Sequence, residues 1–163
     1  IVQEFKAHGK IKINDFNVEY FEVDHKPVKY AYGFNFFNKN KKLTISGDTR
    51  PCENLMRYAQ QADVLLHEVF IDGEFKQTTK MRTKKTLHNV RSYHTPSSIV
   101  GKVALITKCK KLVLTHLVPT KFNEDNLKRT VKKDFGKNPV IGKDLLKIRI
   151  WYNLIESYKF EMY

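Results

Sequence analysis

Apolar and polar residues alternate along the first 46 residues in the manner of β-strands. Aromatic and β-branched residues are frequent in this part, and the sequence Asn38-Lys39-Asn40 supplies a turn. The pattern therefore predicts an antiparallel meander. Its strands are expected over residues 18–25, 30–37 and 42–46.

After Thr49 the apolar residues recur with the period of helices, and short apolar runs separate these helical segments. Helix starts are indicated by Pro51, by Thr95 followed by Pro96, and by Asn123 followed by two acidic residues. The predicted helices cover residues 52–61, 96–108 and 124–135. The predicted strands cover residues 62–68, 111–117 and 139–141, and residues 145–155 indicate a last strand or edge segment.

This order of elements predicts a mixed α/β layer, a β-sheet that carries helices on at least one face, rather than a helical bundle or a barrel. Residues 72–93 interrupt the order because they are rich in Lys, Arg and Thr and have no strong apolar period. They indicate a basic surface insertion, which is either a solvated loop or an arm that grips a substrate.

The net charge of the chain favours anionic partners. Its 163 residues include 30 Lys and Arg against 17 Asp and Glu, which gives a formal charge of +13. Such a field attracts nucleic acid, an anionic membrane surface or phosphorylated substrates. A general bias of composition towards Lys, Asn, Phe and Tyr explains the charge equally well, so both interpretations stay open.

The cysteines and the apolar runs indicate a soluble intracellular protein, in the cytosol or an organelle matrix, without a membrane partner. Cys52 and Cys109 are the only cysteines and show no metal-binding spacing, so we expect two reduced thiols rather than a disulfide. No apolar run approaches the roughly 18 to 20 residues that a membrane-spanning helix needs.

Polar residues with chemical potential follow the predicted strands. His25, Asp48, Glu68 and His116 each stand at or after the end of an apolar strand, and His94 directly precedes a helix. Because the carboxyl ends of parallel strands share one edge of a sheet, these side chains are expected to meet. Imidazole and carboxylate groups are ligands of zinc, iron and manganese.

Two other interpretations of these residues compete with a metal site. A single buried histidine is more often a hydrogen-bonded core residue than a metal ligand, and only its repeated placement after strands favours a metal site. A Ser-His-Asp triad is the rival arrangement, but the chain has no GxSxG sequence for a nucleophile elbow.

Four segments together resemble the second half of a metallo-β-lactamase-fold hydrolase, from the branch that includes ribonuclease Z and arylsulfatase-like or phosphodiesterase-like hydrolases. They read VDHKPVKYAYGFNF, ISGDTRPCENLMRYAQQADVLLHEVF, YHTPSSIVGKVALITKCKKLVLTHL and PVIGKDLLKI, and the match runs in order from about Val18 to Ile148. The resemblance implies half of a four-layer αββα sandwich, one β-sheet layer with helices on its outer face, with residues 1–163 as the C-terminal half of the domain.

The resemblance also implies roles for the matching residues. His25 corresponds to a metal ligand, Asp48 to the carboxylate that bridges two metals, and His116 to a ligand of the second metal. His94 resembles the histidine that steadies or protonates the leaving group, and Glu68 would orient it. The implied cofactors are two divalent metal ions, with zinc expected and iron or manganese as the alternatives.

One departure from the family pattern concerns the metals. The HxHxDH signature of the first half is absent from these residues. Three ligands cannot hold two metal ions, since each ion needs about four to six donors. We therefore expect an N-terminal half before Ile1, or a partner chain such as a second copy, that covers the sheet and completes the site.

The leading functional hypothesis is a metal-dependent hydrolase that attacks phosphoesters, RNA among them, through a metal-bound hydroxide. Candidate phosphate contacts in the basic insertion are Lys80, Arg82, Lys84 and Lys85. The alternative is a catalytically inactive scaffold of the same fold that binds RNA or a nucleoprotein assembly. Metal content and sensitivity to a chelator separate the two hypotheses.

Overall fold

The computed structural model of the chain describes residues 4–74 and 84–150. Within these ranges the chain forms seven strands and four helices. The strands are β1 (His8–Ile13), β2 (Phe16–Glu22), β3 (Tyr32–Asn38), β4 (Lys41–Ile45), β5 (Val64–Phe70), β6 (Lys111–Val118) and β7 (Val140–Ile141). The helices are α1 (Glu53–Tyr58), α2 (Lys84–Ser92), α3 (Ser97–Ile106) and α4 (Glu124–Phe135).

The strands form one sheet in the order of the sequence, from β1 to β7. Strands β1 to β4 pair antiparallel, which confirms the predicted meander, and β1 adds an edge strand that the prediction lacked. Strands β4 to β7 pair parallel. Parallel neighbours need a crossover, and helices supply it: α1 before β5, α2 and α3 before β6, and α4 before β7.

Helices α1, α3 and α4 pack on one face of the sheet and share a single hydrophobic core with it. Leu65 and Leu112 of the strands are fully buried there, together with Leu55, Val100 and Leu127 from the three helices. Full burial of each such side chain contributes about 1.5–3 kcal/mol relative to exposure in water. The predicted α/β layer with helices on one outer face is therefore confirmed.

The opposite face of the sheet carries a second, smaller core made by Leu43, Val64, Leu66 and Val113. Ile150, from the segment that follows β7, packs on these residues and is 8% exposed. The chain therefore covers the centre of this face itself. Residues 145–150 reach it without forming a strand, contrary to one of the two predictions for this segment, and residues 151–155 lie outside the described ranges.

The predicted cap of α4 is confirmed, whereas the predicted cap of α3 and the predicted end of α1 are wrong. Asn123 caps α4 as predicted, because its side chain accepts a hydrogen bond from the amide of Asn126 at 2.9 Å. Thr95 does not cap α3; its hydroxyl donates to the carbonyl of Thr49 at 2.7 Å, so Pro96 occupies the cap position. Helix α1 is also shorter than predicted and ends at Tyr58.

Two further observations concern the expected setting of the protein. The thiols of Cys52 and Cys109 are free, and burial raises the pKa of Cys109 to about 11. Every helix in the described part of the chain is too short or too polar to cross a lipid bilayer.

Candidate active site

The candidate site lies where the parallel strands β4, β5 and β6 end. The amide of Ser46 donates to the carbonyl of Leu66 at 2.9 Å, so the loop after β4 stays beside β5. Gly47 then turns this loop with a φ of +62°, and a Cβ atom there would collide with the carbonyl oxygen of Tyr32. The turn places Asp48 at the carboxyl edge of the sheet.

His116 reaches the same edge through a β-bulge. In the pairing of β5 with β6, Glu68 lies opposite Thr115 and Val69 lies opposite Leu117, which leaves His116 as an extra residue. Its φ of +42° lies in the left-handed region, an uncommon conformation for a residue that is not glycine. Bulges of this kind redirect a side chain, and His116 Nε2 lies 3.5 Å from Oδ2 of Asp48.

Three imidazole rings stand next to one another at this edge. The ring centroids of His25 and His94 are 4.9 Å apart, and those of His94 and His116 are 5.5 Å apart. Asp48 is in contact with the last of these rings. The structure thus brings together His25, Asp48, His94 and His116, which come from four separate places in the sequence.

Glu68 lies beneath this cluster and is 1% exposed. Its Oε1 atom accepts hydrogen bonds from the amides of Thr95 at 2.7 Å and Thr49 at 3.4 Å. Its Oε2 atom lies 3.2 Å from His94 Nδ1. Among the described residues neither of these two buried atoms has another hydrogen-bond partner, so each is the one available partner of the other.

His25 lies in the loop after β2 rather than in the strand that the sequence predicted, because β2 ends at Glu22. The His25 Nδ1 atom is 2.9 Å from the carbonyl oxygen of Tyr93. A carbonyl oxygen can only accept, so Nδ1 is the donor, and in the neutral ring Nε2 then has the lone pair. That tautomer is the one that a metal ligand requires.

An ion pair joins the loop of His25 to the loop of Asp48. Arg50 donates from Nε at 2.9 Å and from Nη2 at 2.6 Å to Oδ2 of Asp24. Burial opposes ionisation of Asp24, but the hydrogen bonds and charge of Arg50 outweigh it and lower the pKa of this carboxyl. The pair holds together the two loops that present His25 and Asp48.

The basic insertion at residues 72–93 contains helix α2, which the sequence pattern did not predict. Arg91 at the end of this helix donates to Asp72 at 2.9 Å, so an ion pair joins the two ends of the insertion. Among the candidate phosphate contacts, Lys85 is exposed on α2, and Lys84 is the first residue of that helix. Lys80 and Arg82 lie outside the described residues.

Comparison with known proteins places the chain in a family. The sequence model of the family described as "Anti-Pycsar protein Apyc1" matches residues 1–118. The chain belongs to the Apyc1 family. It is also 27% identical over 130 residues to a Mycobacterium tuberculosis protein described as ribonuclease Z, a match that covers 78% of this chain and 46% of that protein.

A second ribonuclease Z and a solved structure are also similar to the chain. Over 109 residues the Apyc1-family chain is 33% identical to ribonuclease Z of Bacillus cereus, which covers 66% of this chain and 32% of that protein. The crystal structure of the metallo-β-lactamase fold protein YhfI from Bacillus subtilis superposes with a TM-score of 0.67 at 21% identity, over 85% of this chain and 52% of that one. The predicted metallo-β-lactamase fold and resemblance to ribonuclease Z are confirmed. The chain spans about half the length of the Mycobacterium relative.

His67, to which the sequence pattern assigned no role, is completely buried in the Apyc1-family chain. The His67 Nδ1 atom is 2.7 Å from the carbonyl oxygen of Glu68, and Nε2 has no partner among the described residues. Burial lowers the pKa of His67 despite the opposing charge of Glu68. The alternation of side chains along the strand could have indicated this burial. It places His67 and Leu65 on the face that the helices cover, and it places Glu68 on the opposite face.

The donor set of the Apyc1-family chain matches a metal site in chemical type but not in number. His25 offers a free Nε2, and Asp48 and His116 add a carboxylate and an imidazole at the same edge. Across residues 4–74 and 84–150, however, no group of three or more His, Cys, Asp or Glu side chains is arranged to hold a metal ion. These residues alone therefore do not make a complete coordination shell.

Proposed function

We propose that this Apyc1-family chain forms part of the active site of a metal-dependent hydrolase that acts on phosphoesters. The observation that carries the proposal is the contact of three imidazole rings with each other and with Asp48 at the carboxyl edge of the parallel strands. Ligand sites of open α/β sheets lie at that edge. The ribonuclease Z relatives support the choice of a phosphoester as substrate class.

In this proposal His25, Asp48 and His116 are the metal ligands that the chain contributes. The remaining ligands come from outside these residues, from an N-terminal half or from a partner chain. Two bound divalent ions, zinc in the first instance, would supply Lewis-acid activation of water and neutralise charge on the phosphate oxygens.

His94 is the proposed general acid for the leaving oxygen. The carboxylate of Glu68, 3.2 Å from Nδ1, stabilises the protonated imidazole and fixes the ring orientation. The Nε2–H group of that imidazolium is then the donor. Glu68 is a positioning residue in this scheme, because it acts through His94 and through the amides of Thr49 and Thr95.

The basic insertion is the proposed grip on substrate phosphates. Lys85 on α2 is exposed, and Lys80, Arg82 and Lys84 complete the proposed set. The insertion is connected to the site because the carbonyl of Tyr93, its last residue, accepts the proton of His25 Nδ1. RNA and small phosphodiesters both remain candidate substrates.

The test uses the full-length protein and bis(p-nitrophenyl) phosphate, a generic chromogenic phosphodiester, beside a short RNA. We expect turnover that is lost in a chelator and restored by zinc or manganese. Asp48→Asn should abolish turnover and lower metal content without a change in circular dichroism. The matched control is Asp15→Asn, a change of an exposed aspartate in the β1–β2 turn, and it should retain both.

A catalytically inactive scaffold that binds RNA is the second candidate, and the incomplete donor set favours it. A full-length protein that contains no zinc, iron or manganese, and whose thermal stability is the same in a chelator, would support the scaffold and refute the hydrolase. Turnover that Asp48→Asn leaves unchanged would also refute the hydrolase.

A further inference from the structure

A second basic surface lies away from the imidazole cluster, at the opposite end of the parallel strands. It consists of two depressions that adjoin because Phe37 lines both. The larger, of about 640 Å³, is lined by Lys39, Lys41, Lys42, Lys108 and Lys110. The smaller, of about 450 Å³, is lined by Lys10 and Lys12. We call these seven lysines, together with Phe37, the basic track.

The pairing of the strands aligns the middle of the basic track. Lys12 pairs with Asn17, Asn17 with Phe37, and Phe37 with Lys42, so the four residues form one row across β1 to β4. Beyond β4 the track continues past β5 to Lys110, which directly precedes β6. Since neighbouring strands lie about 4.8 Å apart, the distance from β1 to β6 is about 24 Å. The track carries lysines at both ends and an aromatic ring between them.

The acidic residues of the two depressions are already engaged within the protein. Asp63 accepts from Lys110 Nζ at 2.8 Å, from Lys41 Nζ at 3.3 Å and from the amide of Lys42 at 2.9 Å. Burial opposes ionisation of Asp63, but these hydrogen bonds outweigh it and lower its pKa. In the smaller depression, Glu19 accepts from Asn35 at 3.0 Å. Seven lysines against these two carboxylates leave the basic track with a net positive charge.

Internal hydrogen bonds hold the loops of the larger depression in place. The amide of Gln61 donates to the carbonyl of Thr107 at 2.7 Å, and the amide of Lys110 donates to the carbonyl of Ala62 at 2.9 Å. Lys42 points its ammonium group at the carbonyl of Tyr58, 2.6 Å away, and stiffens the same region. Lys41 is partly exposed and is held by Asp63. The exposed lysines of the track are Lys10, Lys12, Lys39, Lys108 and Lys110, and the side chain of Lys110 is 67% exposed.

We propose that the basic track binds a single-stranded nucleic acid, with backbone phosphates on the lysines and one base stacked on the partly exposed ring of Phe37. A positive groove that contains an aromatic platform is the combination that single strands require. A compact anion would use only one depression, whereas the row of residues across the sheet suits an extended chain. The proposal concerns binding alone and does not depend on the hydrolase activity.

The test measures binding of a fluorescein-labelled oligouridylate of about twelve nucleotides to the full-length protein by anisotropy, in a chelator and over a series of salt concentrations. The track variant is Lys12→Gln with Lys108→Gln and Lys110→Gln. We expect affinity to fall at least about tenfold and the slope of log affinity against log salt to decrease by about 2, because three phosphate contacts are lost.

The matched control replaces three exposed cations of α3 and α4 that line neither depression: Lys102→Gln with Arg129→Gln and Lys133→Gln. It removes the same charge, so a nonspecific field would weaken binding equally in both variants and overturn the proposal. A control that keeps at least half of the wild-type affinity and the wild-type salt slope supports it. The same measurement with oligothymidylate compares deoxyribose with ribose. We expect both strands to bind, and we expect the track variant to weaken the binding of both.

A second variant tests the stacked base. Phe37→Leu keeps an apolar side chain on the sheet and removes no charge, so the salt slope should stay unchanged while single-strand affinity falls at least about fivefold. Affinity for duplex RNA should stay as it was. Equal losses for duplex and single strand would overturn the proposal. Complete displacement of bound oligouridylate by tripolyphosphate at the same phosphate concentration would also overturn it, because a compact anion would then bind as well as an extended strand.

Discussion

His94 Nδ1 lies 3.2 Å from Oε2 of Glu68, and both atoms are buried with no other hydrogen-bond partner among the described residues. The same carboxylate holds the amides of Thr49 and Thr95 through its second oxygen. One buried group therefore fixes both the loop that carries Asp48 and the residue that follows His94.

Replacement of Glu68 should separate its two roles. Glu68→Gln keeps an acceptor for the amide of Thr95 but removes the charge beside His94, so kcat should fall at least about tenfold with little change in KM. Glu68→Ala also leaves buried donors without a partner, and should lower the free energy of unfolding by at least about 3 kcal/mol. Steady-state kinetics and urea unfolding of the full-length protein measure the two effects. Equal losses of stability in both variants would contradict the division.

The left-handed conformation of His116 predicts that glycine at this position gives a more stable protein than alanine does. His116→Gly should raise the free energy of unfolding by about 1 kcal/mol relative to His116→Ala, because only glycine adopts a positive φ without a steric cost. Neither variant should retain hydrolysis, because both lack the imidazole next to Asp48. Urea unfolding of the pair is the measurement. An alanine variant as stable as the glycine variant would show that the bulge stores no strain.

The buried imidazole of His67 predicts a loss of stability in acid. Its pKa is lowered by burial in the folded protein, so on acidification the unfolded chain binds a proton first. The stabilisation is present above the unfolded value of about 6.5 and is lost as pH falls below it, by up to about 1.4 kcal/mol per pH unit. Urea unfolding between pH 7 and pH 5 measures the slope.

Substitution of this histidine should remove that slope. In His67→Gln the free energy of unfolding should depend less on pH between pH 7 and pH 5, whatever its absolute value. The matched control is His88→Gln, which changes an exposed histidine of α2 and should leave the slope as it is in the wild type. A wild-type slope in His67→Gln would assign the acid sensitivity to another group.

The cap of α4 allows a simple stability test. Asn123→Ala removes the acceptor of the Asn126 amide and should cost about 1 kcal/mol, within the range of 0.5–2 kcal/mol for such caps. Asn126→Ala changes an exposed side chain of the same helix and leaves that hydrogen bond intact, because the bond uses the backbone. Thermal unfolding of the two variants should therefore differ, and equal melting temperatures would contradict the role of the cap.

The sequence predicted those elements whose ends are decided by neighbouring residues. Helix α4 was predicted at its observed bounds, because Asn123 accepts from its first turn and Gly136 ends it with a φ of +77°. Strand β5 was predicted over residues 62–68 from the apolar residues at its start and is observed two residues later, at Val64–Phe70, where all seven of its residues are buried. In both cases the decisive signal lies within a few positions of the element.

Elements that depend on distant contacts were missed or misplaced. Alternation continues past Glu22, but the chain leaves β2 there because Asp24 pairs instead with Arg50. Helix α2 has a lysine-rich sequence, and its attachment through Arg91 to Asp72 joins residues far apart in sequence.

The same division applies to the candidate site. Strand ends indicated His25, Asp48, Glu68 and His116, and the start of a helix indicated His94. The structure brings the five residues to one edge of the sheet. The bulge at His116 depends on the register between β5 and β6, and the bonds from Glu68 to Thr49 and Thr95 join three segments. No local pattern contains that information.

Strand β5 begins just after Asp63, which anchors two lysines of the basic track, and contains Glu68, which supports His94. The two residues are about 17 Å apart along an extended backbone. Because the intervening residues are all buried, this separation is set by covalent geometry and cannot adapt to a ligand. Deletion of one residue from the strand would shorten that span and turn every later side chain to the other face. The basic track and the imidazole cluster can therefore change in composition, but their relative position is fixed by the length of β5.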